Sequence, residues 1–284
     1  ELMVYHDGAK NKPIRRFKEG ITLPSWASEV WREDTAYTLR EMIRHIRSPP
    51  YGTNVLGYHL ASGGTDEWYY YPYWRWFFGL PQEDFVDYSQ PQTKAFRAWL
   101  TEKYGTDAGL QEAWGDADVA LATAEIASKR DKTHPDFFAL YDPAQSRHVI
   151  DTLAFEAYLI ADAIAYFCRV VKDETEGQAF TGAFYGYLTG ADDRGYCATH
   201  HLLSCPDLDF LTSPSAYMFR QPGWGYSTFR TTLKSVQMHG KLWWDENDYD
   251  THLMPKGTEG WPGPKDFETT ENQQLRQVAC EITN

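Results

Sequence analysis

The sequence predicts an α/β protein built on a parallel sheet with helical crossovers, and within that class a (β/α)8 TIM barrel that is incomplete in this chain. Three observations predict it. Strand-like and helix-like segments alternate in the order β-α-β-α-β-α-β-α-β-α, and strict alternation implies parallel strands joined by helices. The 284 residues suit one barrel-sized domain. No G-x-G-x-x-G follows the first strand, and no G-x-x-x-x-G-K followed by Ser or Thr occurs, so nucleotide-binding forms of the open, doubly wound sheet lose support. Alternation alone fits an open sheet as well as a barrel. The strands read from the sequence are too few to close a barrel, so roughly two or three strands are expected to lie outside this chain.

Each element rests on a local signal. Residues 2–5 are a short apolar run, read as the end of a strand, and the Lys-, Arg-, Pro- and Gly-rich stretch after them reads as a loop. Ser28 has the form of an N-cap, with Trp31, Ala36, Leu39, Ile43 and Ile46 following at helical spacing until Ser48, Pro49, Pro50 and Gly52 end the helix. Residues 55–61 (VLGYHLA) read as a buried strand. The stretch 62–92 reads as a long loop, loaded with Trp68, Tyr69, Tyr70, Tyr71, Tyr73, Trp74, Trp76, Phe77 and Phe78; a loop of that length is functional or disordered, and this one is too aromatic for disorder. Short helices follow at 91–104, closed by Gly105, and at 108–114. The longest helix is expected at 144–173, with Ile150, Leu153, Ala154, Ala157, Ile160, Ala161, Ile164 and Phe167 on one face. Strands are then expected at 178–185, 208–211 and 242–245, and helices at 200–203, 227–238 and 270–282. The whole of 1–284 reads as one partial barrel domain. The chain opens on Glu1 rather than Met and closes without a tail signature, so truncation at both ends is expected, and export and cellular location are left open.

Composition narrows the partners. The net charge is −13, which argues against nucleic acid and anionic membrane surfaces, both of which need clustered Lys and Arg. No apolar run is long enough for a transmembrane helix. Aromatic residues make up 16% of the chain, and Trp and Tyr present a flat apolar face with a polar edge, as sugar rings do. The expected partner is therefore an oligosaccharide or other glycoside; oligomerisation of the full-length protein is left open. Cys168, Cys197, Cys205 and Cys280 form no CxxC pair, and the spacing of Asp245, Glu246, Asp248 and Asp250 does not match an EF-hand, so neither a metal nor a cofactor is expected.

In a (β/α)8 barrel the working residues lie just past the C-terminal ends of the strands. That rule selects Asp66, Glu67 and Trp68 after 55–61, Tyr217 after 208–211, and Glu246 with Asp248 after 242–245. Two carboxylates, Glu67 and Glu246, thus arrive at one face from strands far apart in sequence. Glycoside hydrolysis needs such a pair: one group protonates the leaving oxygen, and the other attacks the anomeric carbon or activates water. The acid needs a raised pKa, which burial beside Trp68 would supply, and the nucleophile must stay ionised among hydrogen-bond donors.

The sequence resembles the catalytic barrel of family 42 glycoside hydrolases, the β-galactosidase-like branch of the clan A retaining enzymes. Three stretches carry the likeness: 58–68 (YHLASGGTDEW), 96–116 (FRAWLTEKYGTDAGLQEAWGD) and 209–252, which ends in KLWWDENDYDTH. The resemblance implies that barrel strand four ends at Glu67, the acid/base, and strand seven at Glu246, the nucleophile, with strands one, two and eight absent and strand three at most partial. It implies a retaining β-glycosidase that removes terminal β-linked sugars and needs no cofactor. Clan A enzymes carry Asn immediately before the acid/base, where this chain has Asp66, so a different sugar specificity such as β-mannosidase stays open, as does a non-catalytic carbohydrate-binding barrel. Asp66, Trp68, Tyr185, Tyr217, Arg220, Trp224, Trp244 and Asp248 are the candidate substrate-binding residues.

Overall fold

A computed structural model describes residues 1–14, 17–50, 52–63, 66–70, 85–133, 141–187, 195–216, 220, 229–254 and 263–283. Near its start lies an antiparallel hairpin, β1 (Lys12–Ile14) and β2 (Phe17–Ile21), in the stretch expected to be loop. Helix α1 (Glu29–Arg47) begins where Ser28 Oγ accepts from Trp31 N at 3.1 Å. Strand β3 is Gly57–Leu60. Helices α2 (Gln90–Tyr104) and α3 (Asp107–Trp114) are capped by Ser89 and Thr106, and each ends on a positive-φ glycine, Gly105 and Gly115. A single turn, α4 (Lys129–Lys132), starts from a Ser128/Asp131 capping box that the sequence reading passes over. The remaining order is α5 (Arg147–Glu174), β4 (Phe180–Phe184), α6 (Thr199–Leu203), β5 (Phe210–Pro214), α7 (Leu233–Met238), β6 (Leu242–Glu246) and α8 (Phe267–Thr283).

Strands β3, β4, β5 and β6 pair in that order, all parallel, in one four-stranded sheet. This is the α/β arrangement expected, with two corrections. Residues 2–5 do not join the parallel sheet: Leu2 bridges Pro24 antiparallel, Met3 N donates to Leu23 O and Tyr88 N donates to Val4 O. A four-residue apolar run cannot be told by its periodicity from a buried irregular segment. The helix expected at 227–238 begins only at Leu233, because Phe229 pairs with Ser215 instead.

The two faces of the sheet differ. Tyr58, Leu60, Thr181, Ala183, Leu211 and Ser213 are buried on the face that α5 covers, with α1 packed against α5. On the other face His59 lies against Phe184 (4.6 Å) and Phe210 (5.8 Å), its Nε2 is 3.1 Å from Thr212 Oγ1, and Phe210 stacks on Trp244 at 3.7 Å and 10°. Phe180, Leu242 and Trp244 stay exposed there, Trp244 at 42%. Gly182 pairs with Phe210 in register, and a Cβ at 182 would meet the Phe210 ring at 2.4 Å, so glycine is what lets that ring lie flat.

Helix α5 is the hub. Its buried side is broader than the apolar stripe read from sequence, because it includes Asp151, Thr152 and Glu156. Asp151 is fully buried and accepts from Lys103 Nζ (2.7 Å), Tyr104 Oη (2.5 Å) and Trp114 Nε1 (2.8 Å), fastening α2 and α3 to α5. Glu156 takes Lys132 Nζ at 2.5 Å, both side chains being almost wholly buried, and so holds α4. Charges placed this deep are tolerated only when paired.

At the far edge α8 is tied to β6 by a polar chain. Gln277 Nε2 donates to Asp245 Oδ2 (2.9 Å), Tyr249 Oη donates to Gln277 Oε1 (2.7 Å), and Ser215 Oγ donates to Tyr249 Oη (3.3 Å). Burial pushes Asp245 up to about 7, helped by the neighbouring Glu281 carboxyl and opposed by Gln277 and Arg220.

Two outcomes follow from these charges. Asp151→Ala takes away the acceptor of three donors and is expected to lower stability by about 3–5 kcal/mol, read as a lower urea midpoint at neutral pH, with Asp151→Asn losing less. Folding takes up a proton at Asp245 between the ordinary carboxylate range and about 7, so that contribution is present at low pH and fades as pH rises through about 7. Melting temperatures at about pH 5 and about pH 8 should therefore differ less for Asp245→Asn than for the parent protein.

Candidate active site

Parallel strands bring their C-terminal ends to one edge of the sheet, and the two glutamates selected from the sequence both lie at that edge. Glu246 is the last residue of β6. Glu67 lies seven residues beyond β3, where Ser62 bridges it and Trp68 N donates to Ser62 O at 2.9 Å. Glu67 is flanked by two residues in the left-handed region, Asp66 at φ 68° and Trp68 at φ 56°. For a bulky side chain such as Trp that conformation costs on the order of 1–3 kcal/mol and persists only where surroundings enforce it. The enforcement is visible: Trp68 is 2% exposed, its Nε1 donates to Leu60 O at 2.9 Å, and its ring packs against Trp26 and Phe167.

Two tyrosines beyond β4 then hold Glu67 itself. Tyr187 Oη donates to Glu67 Oε1 at 2.8 Å, and Tyr196 Oη donates to the Glu67 carbonyl. Their rings meet at 5.0 Å, and Tyr196 also lies edge-on to Tyr185 at 5.0 Å. Tyr187 is 1% exposed, and burial, then the Glu67 charge, hold its phenol well above the ordinary tyrosine range, so it stays a donor. The Arg230 guanidinium sits 4.7 Å from the Tyr187 ring centroid.

Glu246 has a different environment. Burial pushes its carboxyl up to about 7, Asp248 and then Glu67 push the same way, and Arg220 and Arg230 pull it down. The Glu67 charge acts on Glu246, and the charges of both act on Tyr187, whose hydroxyl is hydrogen-bonded to Glu67. Among the described residues no side chain donates a hydrogen bond to Glu246, and the two arginines act on it through their charge.

The other expected residues divide. Trp244 precedes Glu246 by two residues, hence on the same face of β6, and keeps exposed aromatic surface over the Phe210 stack. Asp66 is exposed in the return before Glu67. Trp68 and Tyr185 are corrections: both are buried, Trp68 as a packing residue and Tyr185 as a strut that donates to Gly195 O (3.2 Å) and accepts from Ala198 N (3.0 Å). Arg220 and Asp248 are engaged with each other at 2.6 Å; Arg220 also donates to the carbonyls of Ser215 (2.8 Å), Ala216 (3.0 Å) and Asp248 (3.2 Å), bracing the loop after β5 against the loop after β6. Tyr217 and Trp224 lie outside the described residues. Tyr187, Tyr196 and Arg230 were missed by sequence reasoning. Tyr187 was within reach of the strand-end rule, since it lies three residues past the end of β4, whereas nothing local marks Tyr196 or Arg230.

No protein-family model matches this sequence, and no curated protein matches it. Among solved structures it is similar to the catalytic domain of β-amylase from Paenibacillus polymyxa, with 15% identity and a TM-score of 0.57 over 85% of this chain and 60% of that one. The β-galactosidase of the Antarctic haloarchaeon Halorubrum lacusprofundi gives 19% identity and a TM-score of 0.46 over 79% of this chain and 28% of that one. That of the psychrophilic Marinomonas ef1 gives 18% and 0.45 over 68% and 24%. The chain thus spans between 24% and 60% of the length of these three structures. At such identities the β-amylase likeness is one of fold: a parallel sheet with helical crossovers, consistent with part of a (β/α)8 barrel.

Proposed function

We propose that this protein is a glycoside hydrolase that removes terminal β-linked sugars with retention, Glu67 serving as acid/base and Glu246 as nucleophile. The observation that carries the reading is the pair itself: two carboxyls, one following β3 and one ending β6 of the same parallel sheet, near enough at its C-terminal edge for the Glu67 charge to act on Glu246. In the first step Glu67 gives its proton to the leaving oxygen while Glu246 attacks the anomeric carbon and the glycosidic C–O bond breaks. In the second step Glu67 takes a proton from water, whose oxygen displaces Glu246 from that carbon. The names of the solved structures it resembles, β-amylase and β-galactosidases, agree with a carbohydrate substrate. The resemblance to family 42 supports a β-galactosidase-like sugar. Asp66, in place of the clan's Asn, supports a different one such as a β-mannoside. Trp244, with its open face next to Glu246, is the proposed stacking surface for the sugar ring.

A second reading reverses the two roles. Glu246 is pushed up to about 7, which suits a proton donor, while Glu67 accepts a hydrogen bond from Tyr187, which suits an anion. Product analysis separates the two. Full-length protein carrying Glu246→Gly is expected to lose at least about a thousandfold in turnover of aryl β-glycosides, and added azide should then yield the α-glycosyl azide. Glu67→Gly with azide should yield the β-glycosyl azide. The opposite pairing of variant and anomer establishes the reversed roles, and failure of the parent protein to release any aryl leaving group removes the hydrolase altogether.

The pH profile supplies a second outcome. Glu246 must be ionised to attack, so kcat/KM of the free enzyme rises as pH increases through about 7. Asp248→Asn removes the charge that, after burial, does most to raise Glu246, and frees Arg220 to act on it. The acidic limb should move to lower pH in that variant.

A further inference from the structure

We infer that Tyr187 is a positioning residue that fixes which oxygen of Glu67 carries the transferred proton. The inference rests on the acid/base reading of Glu67 and extends it to the proton's place on the carboxyl. A carboxylic acid has two oxygens, and rotation about the last side-chain bond exchanges them. An acid that works along one line to the leaving oxygen must keep its proton on one of them. Tyr187 Oη donates to Oε1 at 2.8 Å and, buried at 1% exposure, stays protonated as a donor. Oε1 is thereby the acceptor oxygen, and the mobile proton resides on Oε2.

The surroundings hold this geometry from several sides. The Glu67 backbone is fixed by Tyr196 at its carbonyl and by the left-handed residues on either side. The Tyr187 ring is fixed by Tyr196 on one contact and by the Arg230 guanidinium on another. The contact also changes strength as the reaction proceeds. When the Oε2–H bond breaks and the leaving oxygen gains that proton, Glu67 becomes an anion, and the hydrogen bond from Tyr187 becomes charge-assisted. It therefore stabilises the state reached as the glycosidic bond breaks more than the state before it, which is the condition for an effect on rate. Tyr187 keeps its own proton throughout.

The test is the dependence of kcat/KM on the leaving group, measured on the full-length protein. Tyr187→Phe keeps the ring, and with it the Arg230 and Tyr196 contacts, and removes only the hydroxyl. For a phenyl or alkyl β-glycoside, whose departure needs the proton, kcat/KM is expected to fall about ten- to a hundredfold. For the dinitrophenyl β-glycoside, whose leaving group departs without a proton, it should stay within about threefold. Glu67→Gln is run beside it. If Glu67→Gln shows the leaving-group split and Tyr187→Phe shows equal losses on both substrates, or none, the positioning role is overturned while Glu67 remains the acid. If Glu67→Gln itself shows no split, the acid reading and the inference fall together. A melting temperature for Tyr187→Phe identifies loss of fold, and Tyr187→His, which keeps a ring donor, should then recover part of the phenyl glycoside activity if the donor is what matters.

Discussion

The architecture depends on two carboxylates buried on α5. A parallel sheet needs a layer of helices to close one face, and here the longest helix does that while also gathering α2, α3 and α4 around itself. Apolar packing on this side is non-directional and would allow several arrangements. Asp151, with its three donors, and Glu156, with Lys132, allow only one, because any slip leaves a charge buried and uncompensated. The same helix packs on β3 and β4, so the layer that those contacts hold together also backs the strands at whose edge Glu67 stands.

At that edge the protein treats its two key carboxyls in opposite ways. Glu67 is held mechanically: left-handed residues on either side, a tyrosine on its carbonyl and another on its carboxylate. Glu246 sits at the end of a regular strand and is governed by field, with burial, Asp248 and Glu67 on one side and Arg220 and Arg230 on the other. In the roles proposed for them the difference is useful: a group that transfers a proton along one direction gains from fixed geometry, and a group that gains and loses a bond to carbon gains from a tunable charge. Arg220 links the two styles, since it braces the loops mechanically and tempers Glu246 electrically.

Much of this was legible in the sequence, for local reasons. Ser28, Gly105 and the 108–114 segment announce their helices because caps and helical periodicity are short-range signals. Strands β3, β4 and β6 stand out as apolar runs, and the rule that chemistry follows parallel strands picked Glu67 and Glu246 as candidates. The failures have equally physical origins. The hairpin β1–β2 lies in a charged, Gly- and Pro-bearing stretch with no apolar alternation. Trp68, in a stretch that reads as loop, was a candidate substrate-binding residue, yet the chain turns it inward, where its ring is buried and its Nε1 donates to Leu60 O at the end of β3. Tyr187 lay within reach of the strand-end rule, whereas Tyr196 and Arg230 meet it only through packing between segments, which no window along the chain contains.

The flat contact between Phe210 and Trp244 leaves no room above position 182, where a single added methyl group would collide with both the ring and the backbone carbonyl of Phe210. In evolutionary terms the three positions form a linked set. A descendant that acquires a side chain at 182 must both give up the aromatic at 210, and with it the support under Trp244, and shift the β5 backbone away from β4, so change at this layer proceeds through concerted replacements rather than single steps. Divergence among relatives of this chain is then expected to be recorded jointly at 182, 210 and 244, with 182 the slowest to move.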